Sequence, residues 1–218
     1  MSNAPLNIVV CGVGGQGTVL SKTLLAECAL AGGAFVRSAE TIGMAQRGGI
    51  VLGHVRIMLP GGETDSSSLS SPLVPLGTAQ LLIGFEPVEA LRAYRYCCPS
   101  AYVVTATEPL VPPTAAVQKL EYNGKTQLAA LKREAAEGRI AQLVFVDNRA
   151  VMAALGFDKA LNVVLLGAAL GLLEGNNSPF SSLLSYDAMQ SVIKTSVKSQ
   201  FVELNLRALE MGYQLQCS

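Results

Sequence analysis

The chain has no tryptophan, a single histidine and few charges: 15% of its 218 residues are Asp, Glu, Lys or Arg, against about 25% in an average soluble domain. So thin a charge leaves much of the surface neutral, and an oligomer or partner interface is expected to cover part of it. Sixteen basic and sixteen acidic residues cancel. No basic excess remains to hold nucleic acid or an anionic lipid surface. Long hydrophobic runs are also missing: the longest, Val163 to Leu173, has 11 residues and is too short to span a bilayer. No basic residue precedes Lys22, and the first apolar run breaks at once into glycines, unlike an export leader. A cytoplasmic protein without a membrane segment is expected.

Cysteine is present but not in any metal-type spacing. Cys11, Cys28, Cys97, Cys98 and Cys217 are odd in number and include no C-x-x-C, so reduced thiols are expected, not disulfides or a metal site. With His54 the only histidine, a general acid or base of ordinary pKa is either that residue or a tuned carboxylate or cysteine. No complete set of nucleophile, base and orienting acid can be assembled.

What the sequence does contain is a regular alternation of strand-type and helix-type segments. Asn7 to Cys11 is a β-branched run that ends in Gly12-Val-Gly14-Gly15-Gln16-Gly17, and helical periodicity follows to Gly32-Gly33. Further strands are expected at Ala34–Ser38, Ile50–Met58, Gln80–Phe85, Ala101–Thr105 and Leu143–Val146. Helices are expected from Pro87 to about Tyr96, over Gly124–Gly138 and Arg149–Leu155, and across the apolar Lys159–Glu174. Two amphipathic stretches, Tyr186–Lys198 and Gln200–Gly212, follow. Gly167, Ala168, Ala169 and Gly171 suit close helix approach in the apolar helix, which reads as core or subunit interface. Pro60 to Pro72 reads as a solvated loop. The pattern predicts an α/β protein: one three-layer α/β/α Rossmann-like domain over residues 1–218, with a mainly parallel sheet and C-terminal helices.

The Gly12–Gly17 turn is the strongest local signal, because absent side chains let backbone amides approach an anion at a helix N-terminus. Glu40, 23 residues beyond Gly17, is placed roughly where a dinucleotide fold carries its ribose-binding acid. Dinucleotide binding, another phosphate-bearing ligand and a purely structural glycine turn all remain open on this pattern. A second glycine-rich segment, Gly43-Met-Ala-Gln46-Arg47-Gly48-Gly49, carries one cation and one amide. Arg47 there is either a clamp on a carboxylate or phosphate, or a surface arginine in a turn. His54 and Arg56 share one face of the following strand. A lone strand histidine is either a ligand-facing group or a hydrogen-bonded structural residue. Cys97-Cys98, at the end of a helix, is either a reactive pair or two buried thiols.

The runs Asn7–Gly17, Gly43–Gly49 and His54-Val-Arg56 resemble the gamma-type subunits of the 2-oxoacid:ferredoxin oxidoreductases. Ser71-Pro-Leu, Gly84-Phe-Glu-Pro-Val-Glu-Ala-Leu91, Pro112-Pro-Thr114, Asn162–Gly167 and Phe201–Leu206 extend the resemblance along nearly the whole chain, narrowing it to the beta subunits of the indolepyruvate branch. The resemblance implies oxidative decarboxylation of an arylpyruvate, with indolepyruvate foremost, to the acyl-CoA, with electrons passed to ferredoxin. Thiamine diphosphate and iron–sulfur clusters of the 4Fe–4S type would reside in a large alpha subunit. This chain would bind neither and would not complete turnover alone, coenzyme A being a co-substrate. Expected ligand-facing residues are Gly12, Gly14, Gly15, Gln16, Gly17, Gln46, Arg47, Gly48, Gly49 and His54, with phosphate or coenzyme A as the ligand. Subunits for pyruvate, 2-ketoisovalerate or 2-oxoglutarate, and an independent NAD(P)-dependent dehydrogenase, are the alternatives. A purely architectural subunit is a third.

Overall fold

A computed structural model describes residues 4–43, 49–60, 69–110, 124–157 and 160–215. Gln46, Arg47, Gly48, Cys217, the Pro112-Pro-Thr114 motif and most of the Pro60–Pro72 loop lie outside the described residues.

Six strands form one sheet: β1 (Leu6–Val13), β2 (Phe35–Ile42), β3 (Ile50–Met58), β4 (Ala79–Gly84), β5 (Cys97–Ala106) and β6 (Ile140–Val146), in the order β2-β3-β1-β4-β5-β6. The block β1-β4-β5-β6 is parallel. β3 is inserted antiparallel between β1 and β2, with Val9 opposite His54 and Gly53 opposite Glu40. β1 is buried along its whole length, as a central strand flanked by helices on both faces must be.

The helices are α1 (Thr18–Ala31), α2 (Pro87–Ala93), α3 (Gly124–Ala136), α4 (Asn148–Leu155), α5 (Leu161–Gly175), α6 (Tyr186–Ser196) and α7 (Ser199–Gln214). α1, α5, α6 and α7 build the larger apolar core on one face, and a smaller core around Val9, Leu82, Val103 and Leu131 lies on the other. The three-layer α/β expectation therefore holds. Pro87 opens α2 as expected, with Glu86 as its cap: the carboxylate accepts from Val88 N at 3.1 Å and from Glu89 N.

α5 shows why its sequence is apolar all round. Each residue from Asn162 to Leu173 is buried between the sheet and α7. It is core within this chain.

Two expectations are corrected. Cys97-Cys98 does not end a helix: α2 stops at Ala93, a single 3-10 turn covers Tyr94–Tyr96, and both cysteines open β5, four residues earlier than the apolar run alone indicates. Glu40 lies on β2, which β3 separates from β1, so it is not beside the glycine turn. Its carboxylate is paired with Lys22 Nζ at 3.0 Å.

Candidate functional site

The parallel strands β1, β5 and β6 point their carboxyl ends at one edge of the sheet, where α/β proteins place their ligands. A cavity of about 710 Å³ opens there. It is lined by Gly14, Gly15 and Gln16 after β1, by Glu108, Pro109 and Leu110 after β5, and by Asn148, Arg149, Val151, Met152 and Ala153 after β6, with Leu161 at the start of α5. Three helix N-termini, those of α1, α4 and α5, converge on it. α1 and α5 have neither an acidic residue in the first turn nor a capping side chain at the N-cap position; in α5 Val163 N donates to Asn162 Oδ1 at 2.9 Å, and the amide ends otherwise favour an anion.

Local chemistry builds each wall. Gly15 and Gly17 adopt φ of +96° and +88°, and a Cβ at Gly17 would stand 2.6 Å from Asn162 Nδ2. Glycine is therefore required there both for the turn and for the approach of α5. Asn148 Oδ1 accepts from Thr107 N at 3.1 Å and from Glu108 N at 3.3 Å, tying the loop after β5 to the start of α4. Asp147 caps α4, accepting from Arg149 N at 2.8 Å and Ala150 N at 3.2 Å. Arg149 Nη2 and Glu108 Oε2 meet at 3.2 Å, with both side chains well exposed.

The expected ligand-facing residues divide. Gly14 and Gly15 do line the cavity. Gly49 is not among the lining residues, but its carbonyl accepts from Gly14 N at 2.8 Å, so the two glycine-rich segments meet. Gly12 sits below: a Cβ there would be 2.7 Å from Gln16 Oε1 and 2.8 Å from Phe85 Cβ, so it makes room for protein atoms. Gln16 turns its amide inward, with Oε1 accepting from Val13 N at 2.7 Å and Nε2 donating to Phe85 O at 3.2 Å. It clamps the turn to the end of β4.

His54 does not line this cavity. It is buried on the α2 face, where Nδ1 accepts from Val74 N at 3.3 Å and the ring meets Tyr96 edge-on at 5.5 Å. Arg56, on the same face, donates to Asn7 Oδ1 and Ser71 O. Both residues tie the segment before β4 to the sheet.

Burial holds the His54 imidazole below its ordinary range, so the folded state keeps it neutral. Unfolding then takes up a proton below about pH 6.5. The stability His54 contributes is present above that pH and is lost as pH falls through the folded value. Melts between pH 7.5 and 5 should show this decline, reduced in His54→Asn; equal pH slopes in both proteins would contradict it.

The described thiols are poor nucleophiles. Burial, reinforced by Cys98, pushes Cys97 up to about 12, and burial pushes Cys28 up to about 11. Cys11 is raised by burial, then by Glu89 and Glu86, and Cys98 is raised by burial. Alkylation of Cys97 by iodoacetamide at pH 8, followed by mass spectrometry, should be at least about a hundredfold slower than that of free cysteine. A rate within threefold of free cysteine would show a thiolate there.

Among the described residues no group of three or more His, Cys, Asp or Glu side chains could hold a metal ion. Glu108 is the one carboxylate among the described residues lining the cavity, and it is engaged by Arg149. This donor set fits neither an iron–sulfur cluster, which needs thiolates, nor a metal-bound diphosphate, which needs free oxygen ligands.

A mixed, mainly parallel sheet with a glycine turn at its carboxyl edge defines an α/β domain. The chain matches the pyruvate ferredoxin/flavodoxin oxidoreductase family over residues 7–215 and belongs to it. It is 33% identical over 208 residues to the indolepyruvate oxidoreductase subunit IorB of Archaeoglobus fulgidus, covering 95% of this chain and 94% of the relative. The IorB subunit of Thermococcus kodakarensis is 34% identical over 206 residues, covering 94% and 93%.

Among solved structures, the fold is shared with the gamma subunit of a keto/oxoacid ferredoxin oxidoreductase from Geobacter sulfurreducens. The TM-score is 0.60 at 20% identity, over 97% of this chain and 98% of that one. It is also shared with a 2-oxoglutarate:ferredoxin oxidoreductase from Magnetococcus marinus with 2-oxoglutarate, coenzyme A and succinyl-CoA bound. There the TM-score is 0.62 at 19% identity, over 99% of this chain and 32% of that longer one. Among the described residues, no helix is long and apolar enough to cross a membrane.

Sequence reasoning missed Glu108, Leu110, Asn148, Arg149, Met152 and Leu161. The available signal was Asp147-Asn148-Arg149, a cap residue and a cation directly after an apolar strand. In a parallel sheet that position lies on the ligand-binding edge.

Proposed function

We propose that this chain is the beta-type, gamma-family subunit of a cytoplasmic indolepyruvate:ferredoxin oxidoreductase. That enzyme converts an arylpyruvate and coenzyme A to the aryl-acyl-CoA, carbon dioxide and two electrons for ferredoxin. The carrying observation is the match to IorB subunits at 33–34% identity over nearly the full length of both partners. A large alpha subunit supplies thiamine diphosphate and iron–sulfur clusters. This chain, acting as one domain, contributes positioning and binding surface.

The glycine turn and its cavity form the ligand-facing part, with Gly14, Gly15 and Gly49 as its backbone and Gln46, Arg47 and Gly48 continuing from the second glycine-rich segment. Coenzyme A is the ligand best suited to it. Its phosphates match the unneutralised N-termini of α1 and α5, and its pantetheine arm matches the apolar wall. Thr18 Oγ1, buried beside Gly12 without a hydrogen-bond partner, adds an unused polar atom to the turn.

The test is anaerobic co-expression with the large alpha subunit, followed by arylpyruvate-dependent reduction of ferredoxin. Turnover that needs both chains and coenzyme A, with indolepyruvate preferred over pyruvate and 2-oxoglutarate, supports the reading. A preference for pyruvate or 2-oxoglutarate moves the chain to another branch. Saturable nicotinamide binding by a chain that takes no partner overturns the reading.

A further inference from the structure

Among the described residues lining the cavity, Arg149 is the one cation. Its backbone is fixed by the cap of α4, through Arg149 N donating to Asp147 Oδ1 at 2.8 Å, while its guanidinium extends to Glu108 on the adjoining loop after β5. The Arg149 side chain is 81% exposed and that of Glu108 42%. A single contact of 3.2 Å between groups so exposed is screened by water and contributes little, so it is easily exchanged. Glu108 is thus an acid that another acid can replace, and a planar carboxylate or a phosphate can take the guanidinium fork through two bonds at once.

Beside this pair lies an apolar wall. Leu110 and Met152 are 45% and 52% exposed, and Pro109, Val151, Ala153 and Leu161 continue the surface toward Gly14 and Gly15. A free anion would leave that wall wet. A ligand whose acidic group is attached to an apolar body would take Arg149 and cover Leu110 and Met152 together. The open N-termini of α1 and α5 favour the same orientation, with the negative group toward the strand ends.

We propose that Arg149 is the specificity-determining cation of this subunit, binding the acidic group of an apolar-bodied ligand that displaces Glu108. The inference rests on the oxidoreductase reading above. The arylpyruvate carboxylate and the phosphates of coenzyme A share this chemistry, and the experiment separates them.

In the assembled enzyme with its large subunit, KM for indolepyruvate and KM for coenzyme A are measured separately for wild type, Arg149→Gln, Arg149→Lys and Glu108→Gln. Arg149→Gln should raise one KM by about tenfold or more, with kcat within about twofold, because a charge-assisted contact is lost from binding. The KM that moves identifies the ligand. Arg149→Lys should recover part of the loss, as a charge without the fork, and Glu108→Gln should lower the same KM by removing its competitor.

Both KM values unchanged within twofold in Arg149→Gln, in a complex that assembles and turns over, would overturn the proposal and leave the functional reading intact. Loss of the partner subunit in both Arg149 variants would also overturn it, making Arg149 an interface contact. A wild-type complex inert toward every 2-oxoacid removes the functional reading itself, and this inference with it.

Discussion

Gly212→Ala is expected to unfold the protein or destabilise it by more than about 4 kcal/mol, as extreme as single substitutions become. α5 and α7 pack with glycines facing each other's backbone. A Cβ at Gly212 would fall on Val164 O, 2.8 Å from Val164 C and 3.0 Å from Ala168 N. Reciprocally, a Cβ at Gly167 would fall on Leu209 O and lie 2.8 Å from Tyr213 N. Backbone atoms in the middle of a helix cannot step aside as a side chain can, so the helices must separate. Separation would open the seam along Val164, Leu165 and Ala168, which are now fully buried.

The same substitution at the last residue of α5 has the opposite sign. Gly175 has no atom within 4 Å of its would-be Cβ and is exposed. Gly175→Ala should be neutral or stabilising by up to about 1 kcal/mol through helix propensity. Chemical denaturation of the purified variants reads both effects. A Gly212→Ala protein whose midpoint matches wild type would mean the two helices are not in this contact in solution.

The difference between these two glycines is a matter of partner. Gly212 closes a helix expected from periodicity and Gly175 lies one residue past the expected end of another, while the small residues of α5 already indicate a close approach. Which residue approaches is set by α7, some 45 residues away along the chain from Gly167. Local reasoning recovers what is determined within about one element: the strand–turn–helix at Gly12–Gly17, the Pro87 start of α2 and the apolar α5. It does not reveal that β3 enters antiparallel between β1 and β2, because strand order is fixed by long-range packing. That insertion removes Glu40 from the turn and with it the main support for a ribose site.

The cavity was illegible for the same reason. Its walls come from three loops after β1, β5 and β6, separated by about ninety and forty residues, and no window of sequence contains two of them. His54 shows the converse. Its chemistry drew attention, yet its parity on β3 sends it to the α2 face, away from the strand ends.

Gln16 carries the second large expected effect. In the sequence it is a polar residue in a glycine loop, open to a ligand-binding role, whereas in the fold its amide is spent on the protein. Oε1 takes the Val13 amide and Nε2 gives to the Phe85 carbonyl, joining β1 to β4 where both strands end. Gln16→Ala removes both bonds and leaves a donor and an acceptor unpaired, a loss of about 2–4 kcal/mol. Gln16→Glu keeps the shape and still accepts from Val13 N, but it sets a carboxylate oxygen against the Phe85 carbonyl oxygen. It should therefore destabilise at least as much as alanine at neutral pH and recover as the acid is protonated toward pH 4. A side chain that only touched ligand would behave otherwise: both variants would melt like wild type and lose affinity alone. Denaturation of Gln16→Glu at pH 7 and at pH 4.5, each against wild type at the same pH, separates the two. The clamp requires the deficit to shrink at the lower pH, and a deficit that is absent or independent of pH would return Gln16 to the ligand.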